Sequence, residues 1–86
     1  MVDFGATWCG PCRALQPVLR ELADLYPSVV FATVDVEQLR DSSVCNGISK
    51  LPTVEWYHDA KLLEQQVGFD EQRLRNTTAS FAARFA

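Results

Sequence analysis

The 86-residue chain is predicted to fold as one α/β domain, a mixed four-stranded sheet in the order β-α-β-α-β-β-α between helices. Three observations predict this. The apolar residues Leu15, Val18, Leu19, Leu22 and Tyr26 fall at i, i+3, i+4, i+7 and i+11, the stripe of a helix facing a core. The run Val29 to Val36 is nearly all apolar and rich in β-branched residues, which predicts a strand covered on both faces and therefore a parallel neighbour. Thr53–His58 and Lys61–Gly68 then read as two strands joined by the short turn of a hairpin.

Each element follows in order along the chain. Met1 to Phe4 reads as the end of a buried strand, and Gly5-Ala6-Thr7-Trp8 as a turn. Cys9 opens the first helix, with Pro11 in its first turn, where a missing N–H costs nothing. Pro17 inside that helix predicts a kink, and Pro27 its end. After the second strand, Glu37 to Asn46 carries Leu39 and Val44 in a polar setting, which predicts a short helix stopped by Gly47. Asp70 is a cap for the last helix, whose buried stripe is Leu74, Thr78, Phe81 and Phe85.

Composition excludes several classes of function. Hydrophobic residues are 48% and charged residues 22% of the chain, an ordinary balance for a soluble globule and not that of a disordered segment. The net charge of −3 and a pI near 4.9, with the Lys and Arg scattered, argue against a nucleic-acid surface. No apolar run approaches the roughly 18 residues of a membrane span, so no membrane role is expected.

Three cysteines are too few for a disulfide framework. Cys9 and Cys12 form a Cys-x-x-Cys pair, which in a reducing compartment means metal binding or redox chemistry. Placement favours redox. Cys9 follows a strand and stands at a helix N-terminus, where unpaired N–H groups and the helix dipole favour an anion. A free cysteine, with a pKa near 8.5, is only about 3% thiolate at pH 7, so lowering that pKa activates the nucleophile. Cys12 lies one turn on, on the same face, within reach of Cys9 but deeper, as suits a thiol that attacks second.

At this point the residues resemble a family. Val2-Asp3-Phe4, Ala6-Thr7-Trp8-Cys9-Gly10-Pro11-Cys12-Arg13, Pro17, Asp35-Val36, Leu51-Pro52-Thr53 and Val67-Gly68 together resemble thioredoxins, in register from residue 2 to about residue 85. Thr7 and the stretch from Pro27 to Val36 resemble the eukaryotic cytosolic members more than the bacterial ones. The resemblance implies a thioredoxin-like fold and a protein-disulfide reductase. Cys9 would attack a client disulfide, and Cys12 would resolve the mixed disulfide, leaving Cys9–Cys12 oxidised. It also implies that Pro52 is a cis-proline facing the sulfurs. Trp8, Gly10 and Pro11 would form the active-site turn, and Leu51, Pro52, Thr53 and Gly68, with Trp8, would line the groove for a client strand. Asp3 would be the buried carboxylate that takes the proton of Cys12. No bound cofactor is implied. Electrons would come from NADPH through a flavin-dependent thioredoxin reductase, and peroxiredoxins or ribonucleotide reductase would be typical clients, in the cytoplasm.

The sequence also departs from the family. Gly5 stands where many members carry Trp, Thr33 where bacterial members often carry Lys, and Ala60 where a hairpin glycine is usual. The strand and helix with which the family begins are missing ahead of Met1, so the domain is expected to be short at that end. The Val29–Asp35 strand is then expected to form an exposed sheet edge through which the chain self-associates.

Two other functions fit some of the residues. A non-catalytic thioredoxin-like module, or a piece of a larger redox protein, would use the same groove for binding alone. A structural zinc site would need Cys45 and His58 beside Cys9 and Cys12, although zinc sites normally show a second close ligand pair. Otherwise Cys45 is expected to be an inert thiol and His58 an exposed turn residue, and Asn76-Thr77-Thr78 matches a glycosylation pattern inside a predicted helix by chance.

Overall fold

A computed structural model describes residues 1–39 and 47–85. Its elements are β1 (Val2–Gly5), α1 (Gly10–Leu25), β2 (Ala32–Asp35), β3 (Thr53–His58), β4 (Lys61–Val67) and α2 (Glu71–Arg84). The predicted order holds for all six. The short helix expected over Glu37–Asn46 falls mostly on residues 40–46, outside the described residues, and Cys45 lies there too. Glu37 to Leu39 form a turn and a bend.

The four strands make one sheet in the order β2-β1-β3-β4. β1 runs parallel to β2, with Asp3 opposite Thr33, and antiparallel to β3, with Asp3 opposite Val54. This register brings the end of β1 and the start of β3 together, where Phe4 faces Thr53. The hairpin between β3 and β4 turns on Asp59 and Ala60, both at positive φ (51° and 64°). Such a pair suits a two-residue hairpin turn, and the usual glycine is explained by the conformation that Ala60 adopts here without one.

Side-chain alternation divides the sheet into two faces. Asp3 hydrogen-bonds α1, while Met1, Val54 and Trp56 share one core with Leu15, Val18, Leu19 and Leu22 of α1 and with Leu74 and Ala82 of α2. Both helices therefore lie on this face, tied at the surface by Arg75 of α2, which donates to Glu21 of α1 at 2.8 Å. Leu74 and Thr78 are fully buried as predicted, while Phe81 and Phe85 are half-buried and Ala82 completes the stripe. Asp70 caps α2, accepting from the Arg73 amide at 3.1 Å. On the other face Glu55 is buried with both carboxylate oxygens satisfied, by the Tyr57 hydroxyl at 2.6 Å and the Gln65 amide at 2.8 Å. Donating to that carboxylate holds the Tyr57 hydroxyl above its ordinary pKa.

One expectation needs correction. The Val29–Val36 run is not a strand covered on both faces: only Ala32–Asp35 is strand, Ala32 and Thr33 are exposed, and Val30 is 79% exposed. Among the described residues its strand partner is on one side only, because β2 is an outer strand, and apolar, β-branched content cannot distinguish an outer strand from an inner one. The expectation of a sheet edge at this strand is met.

Candidate active site

Three segments meet at the C-terminal end of β1. The first is the turn from β1 into α1. Gly5 ends the strand, the Cys9 amide donates to the Ala6 carbonyl at 3.2 Å, and Cys9 becomes the N-cap of α1. Its sulfur takes the place of the oxygen that usually caps a helix, accepting from the Cys12 amide at 3.2 Å. Pro11 lies in the first turn, and the helix then runs uninterrupted to Leu25, with Pro17 on its exposed side. Cys9 and Cys12 are disulfide-bonded, their Cα atoms 5.2 Å apart.

The second segment is Leu51-Pro52-Thr53, entering β3. The Leu51–Pro52 peptide is cis, as the family resemblance implies. Pro52 is buried, and its carbonyl accepts from the Gly68 amide at 2.8 Å, which fixes Gly68, at φ 84°, beside it. Leu51 and Val36 pack against Ala6, Cys9 and Cys12. Thr53 follows, buried, with its hydroxyl donating to the Lys50 carbonyl at 2.6 Å. Trp8, by contrast, is 64% exposed beside the disulfide, its indole N–H donating to the Glu37 carboxylate.

Cys9 is less open than expected. It is 6% exposed against 3% for Cys12, so in the disulfide form both sulfurs are covered and the difference between them is small. The cover comes from Ala6, Val36 and Leu51, contacts that no local spacing announces.

The third part is the carboxyl of Asp3, which β1 points at α1. It is 1% exposed, and burial raises its pKa, with a hydrogen bond from Gln16 acting in the opposite direction. Gln16 Nε2 donates to Oδ2 at 2.8 Å, whereas Oδ1 has no hydrogen-bond partner among the described residues. A Cβ at Gly5 would stand 3.4 Å from Cys12 Sγ and 3.9 Å from Asp3 Oδ1, so that sulfur and that oxygen converge on one point. A cavity of about 300 Å³ opens there, lined by Asp3, Gly5, Cys12, Gln16, Thr33 and Asp35 among others. Gln16 is the residue that sequence reasoning missed. Its signal is the i+4 spacing from Cys12, which puts the two on one helix face.

A carboxyl with a raised pKa makes stability depend on pH with a definite sign. The folded chain binds this proton more tightly than the unfolded chain, so stability falls as pH rises from 3.8 through the raised value, and the penalty is complete above it. Asp3→Asn should therefore melt several degrees higher than the parent at pH 7, with the difference vanishing near pH 3.8. Calorimetric melts across that range check it; an advantage that persists undiminished at pH 3.5 would point to another cause.

The zinc arrangement finds no support. His58 is at the far end of β3, stacked on Phe85 with ring centroids 3.9 Å apart, and no group of three His, Cys, Asp or Glu among the described residues could hold a metal ion. Nor is any helix among the described residues long and apolar enough to cross a membrane.

A cysteine pair at the N-terminus of a helix that packs on a mixed sheet, beside a cis-proline loop and above a buried carboxyl, defines a thioredoxin-like dithiol–disulfide site. The thioredoxin family model matches residues 1–80, and the chain belongs to that family. It is 40% identical over 82 residues to a thioredoxin H-type of Picea mariana, covering 95% of this chain and 66% of that one. Thioredoxin of Rattus norvegicus is 35% identical over 82 residues, covering 95% and 78%. Among solved structures, thioredoxin of Fasciola hepatica superposes with a TM-score of 0.85 at 38% identity, covering 92% of this chain and 76% of that one. Plasmodium falciparum thioredoxin gives 0.86 at 29% identity, covering 93% and 82%. The chain spans 55% to 73% of the length of the plant relatives it matches.

Proposed function

We propose that the chain is a protein-disulfide reductase working through the Cys9/Cys12 dithiol. The observation that carries this is the disulfide-bonded pair at the N-cap of α1, with the deeper sulfur converging on the Asp3 carboxyl. In the reduced protein the Cys9 thiolate attacks one sulfur of a client disulfide. The client S–S bond breaks, a Cys9–client bond forms, and one client thiolate leaves. Cys12 then gives its proton to Asp3 and attacks Cys9 Sγ, which expels the second client thiolate and closes Cys9–Cys12. Two electrons pass from the pair to the client. A flavin-dependent thioredoxin reductase drawing on NADPH would restore the dithiol, in a reducing compartment such as the cytoplasm.

Clients would bind as extended strands against exposed Trp8 and the backbone of Leu51, Pro52 and Gly68, a permissive surface that suits peroxiredoxins, ribonucleotide reductase or other disulfide-bearing proteins. Reduction of insulin by dithiothreitol, followed as turbidity, tests the activity, and oxidation of NADPH in the presence of thioredoxin reductase tests the electron source. A chain that binds disulfide peptides but leaves insulin clear would be a non-catalytic module instead.

The outer position of β2 favours a second behaviour, pairing of β2 edges between copies of the chain. Exposed Thr33 sits in the middle of that edge. Thr33→Lys should therefore lower any self-association by about tenfold or more in sedimentation at high concentration, as a charge on an edge strand does. A parent chain that stays monomeric at millimolar concentration would remove the idea.

A further inference from the structure

We infer that Gln16 is a positioning residue for the Asp3 base, setting the orientation in which its unpartnered oxygen lies towards Cys12. The inference rests on the reductase mechanism above, in which Asp3 takes the proton of the resolving thiol.

A buried carboxyl is not automatically aimed. Rotation about its last torsion is soft, so either oxygen can face a given neighbour unless something holds one of them. Here Gln16 holds Oδ2 at 2.8 Å, and Oδ1 is left without a partner among the described residues. Oδ1 is also the oxygen within 3.9 Å of the point where a Gly5 side chain would begin, and Cys12 Sγ is 3.4 Å from the same point. Gln16 thus fixes the plane of the carboxyl, with one oxygen held and the other left towards the sulfur. The cavity at this point, about 300 Å³, has room for water to pass a proton across the gap.

Other charges facing the cavity are one of each sign: Arg13 of α1 and Asp35 of β2. Neither is hydrogen-bonded to Asp3, and the β3 neighbour across the sheet, Val54, is apolar. Gln16 is therefore the polar side chain that distinguishes one ionisation state of Asp3 from the other by direct contact. By donating, it favours the carboxylate and works against the burial that favours the acid.

The test separates attack from resolution. Reduced protein is mixed in a stopped-flow instrument with an aromatic disulfide that releases one coloured thiolate when Cys9 attacks and a second when Cys12 resolves. Gln16→Leu should leave the first phase unchanged and slow the second about tenfold at pH 6, as expected on losing a hydrogen bond to a charged group. The acid limb of the second phase should move to higher pH, because the carboxylate has lost its donor. Gln16→Met, closer in shape, serves if the leucine variant is unstable and should behave the same way. In an Asp3→Asn background, Gln16→Leu should have no further effect. If Asp3→Asn leaves the second phase unaltered, the base role of Asp3 falls. If Asp3→Asn slows it while both Gln16 variants keep the parental profile, or slow both phases equally, the base stands and the inference about Gln16 is overturned.

Discussion

Cys9→Ser is expected to abolish insulin reduction, by about a thousandfold or more, because the thiol that remains, Cys12, lies deeper and is placed to resolve a mixed disulfide, not to open one. Cys12→Ser should lose turnover to a similar extent and yet behave quite differently. It keeps the attacking thiol and loses only the resolving one, so it should accumulate mixed disulfides with clients that Cys9→Ser never forms. In the reduced parent, iodoacetamide near pH 7 should alkylate Cys9 first. The near-equal burial of the two sulfurs makes this a matter of charge more than of access. Cys9 is the N-cap of α1, where the Cys12 amide points at its sulfur and stabilises a thiolate. Cys12 converges on Asp3, and a carboxylate beside a desolvated thiol holds its proton on. Peptide mapping after partial alkylation decides the order. Equal labelling of both cysteines, or trapping of clients by Cys9→Ser, would reverse the assignment of roles.

The site was legible in the sequence to the extent that its chemistry is local. A strand, a turn, and a helix opening on Cys-Gly-Pro-Cys depend on neighbours a few residues apart, and they stand where the pattern puts them. The cis peptide before Pro52 came from the family resemblance and not from spacing, because nothing within Leu51-Pro52-Thr53 forces it. What could not be read depends on contacts across the fold. The cover over Cys9 comes from Leu51 and Val36, which are distant in the chain. Gln16, between a core leucine and a proline, looks like any half-exposed helix position until β1 brings Asp3 beneath it. The edge position of β2 was expected, but the exposure of Val30, Ala32 and Thr33 was not, because the composition of the run is that of a strand covered on both faces.

Trp56→Ala should have the largest effect on stability. Trp56 is 0% exposed, at the centre of the one face on which both helices pack, and it shares its core with Leu15, Leu22, Val54 and Leu74. Truncating a buried tryptophan to alanine costs about 3–5 kcal/mol in lost transfer energy and residual cavity. A domain of this size has only roughly 5–10 kcal/mol to lose. At about 4–8 °C per kcal/mol, the variant should melt at least ~12 °C lower, and its population of unfolded chain at 37 °C should become large. Trp56→Phe separates volume from polarity. The indole Nε1 has no hydrogen-bond partner among the described residues, so phenylalanine removes an unpaired donor along with the outer ring atoms. The two effects oppose each other, and the loss should stay below half that of alanine. Because Trp56 belongs to the core and not to the active-site turn, the phenylalanine variant should reduce insulin at the parental rate below its melting temperature. Thermal melts by circular dichroism check all three proteins. An alanine variant melting within about 4 °C of the parent, a shift worth no more than ~1 kcal/mol, would mean that the packing of both helices does not hinge on this side chain.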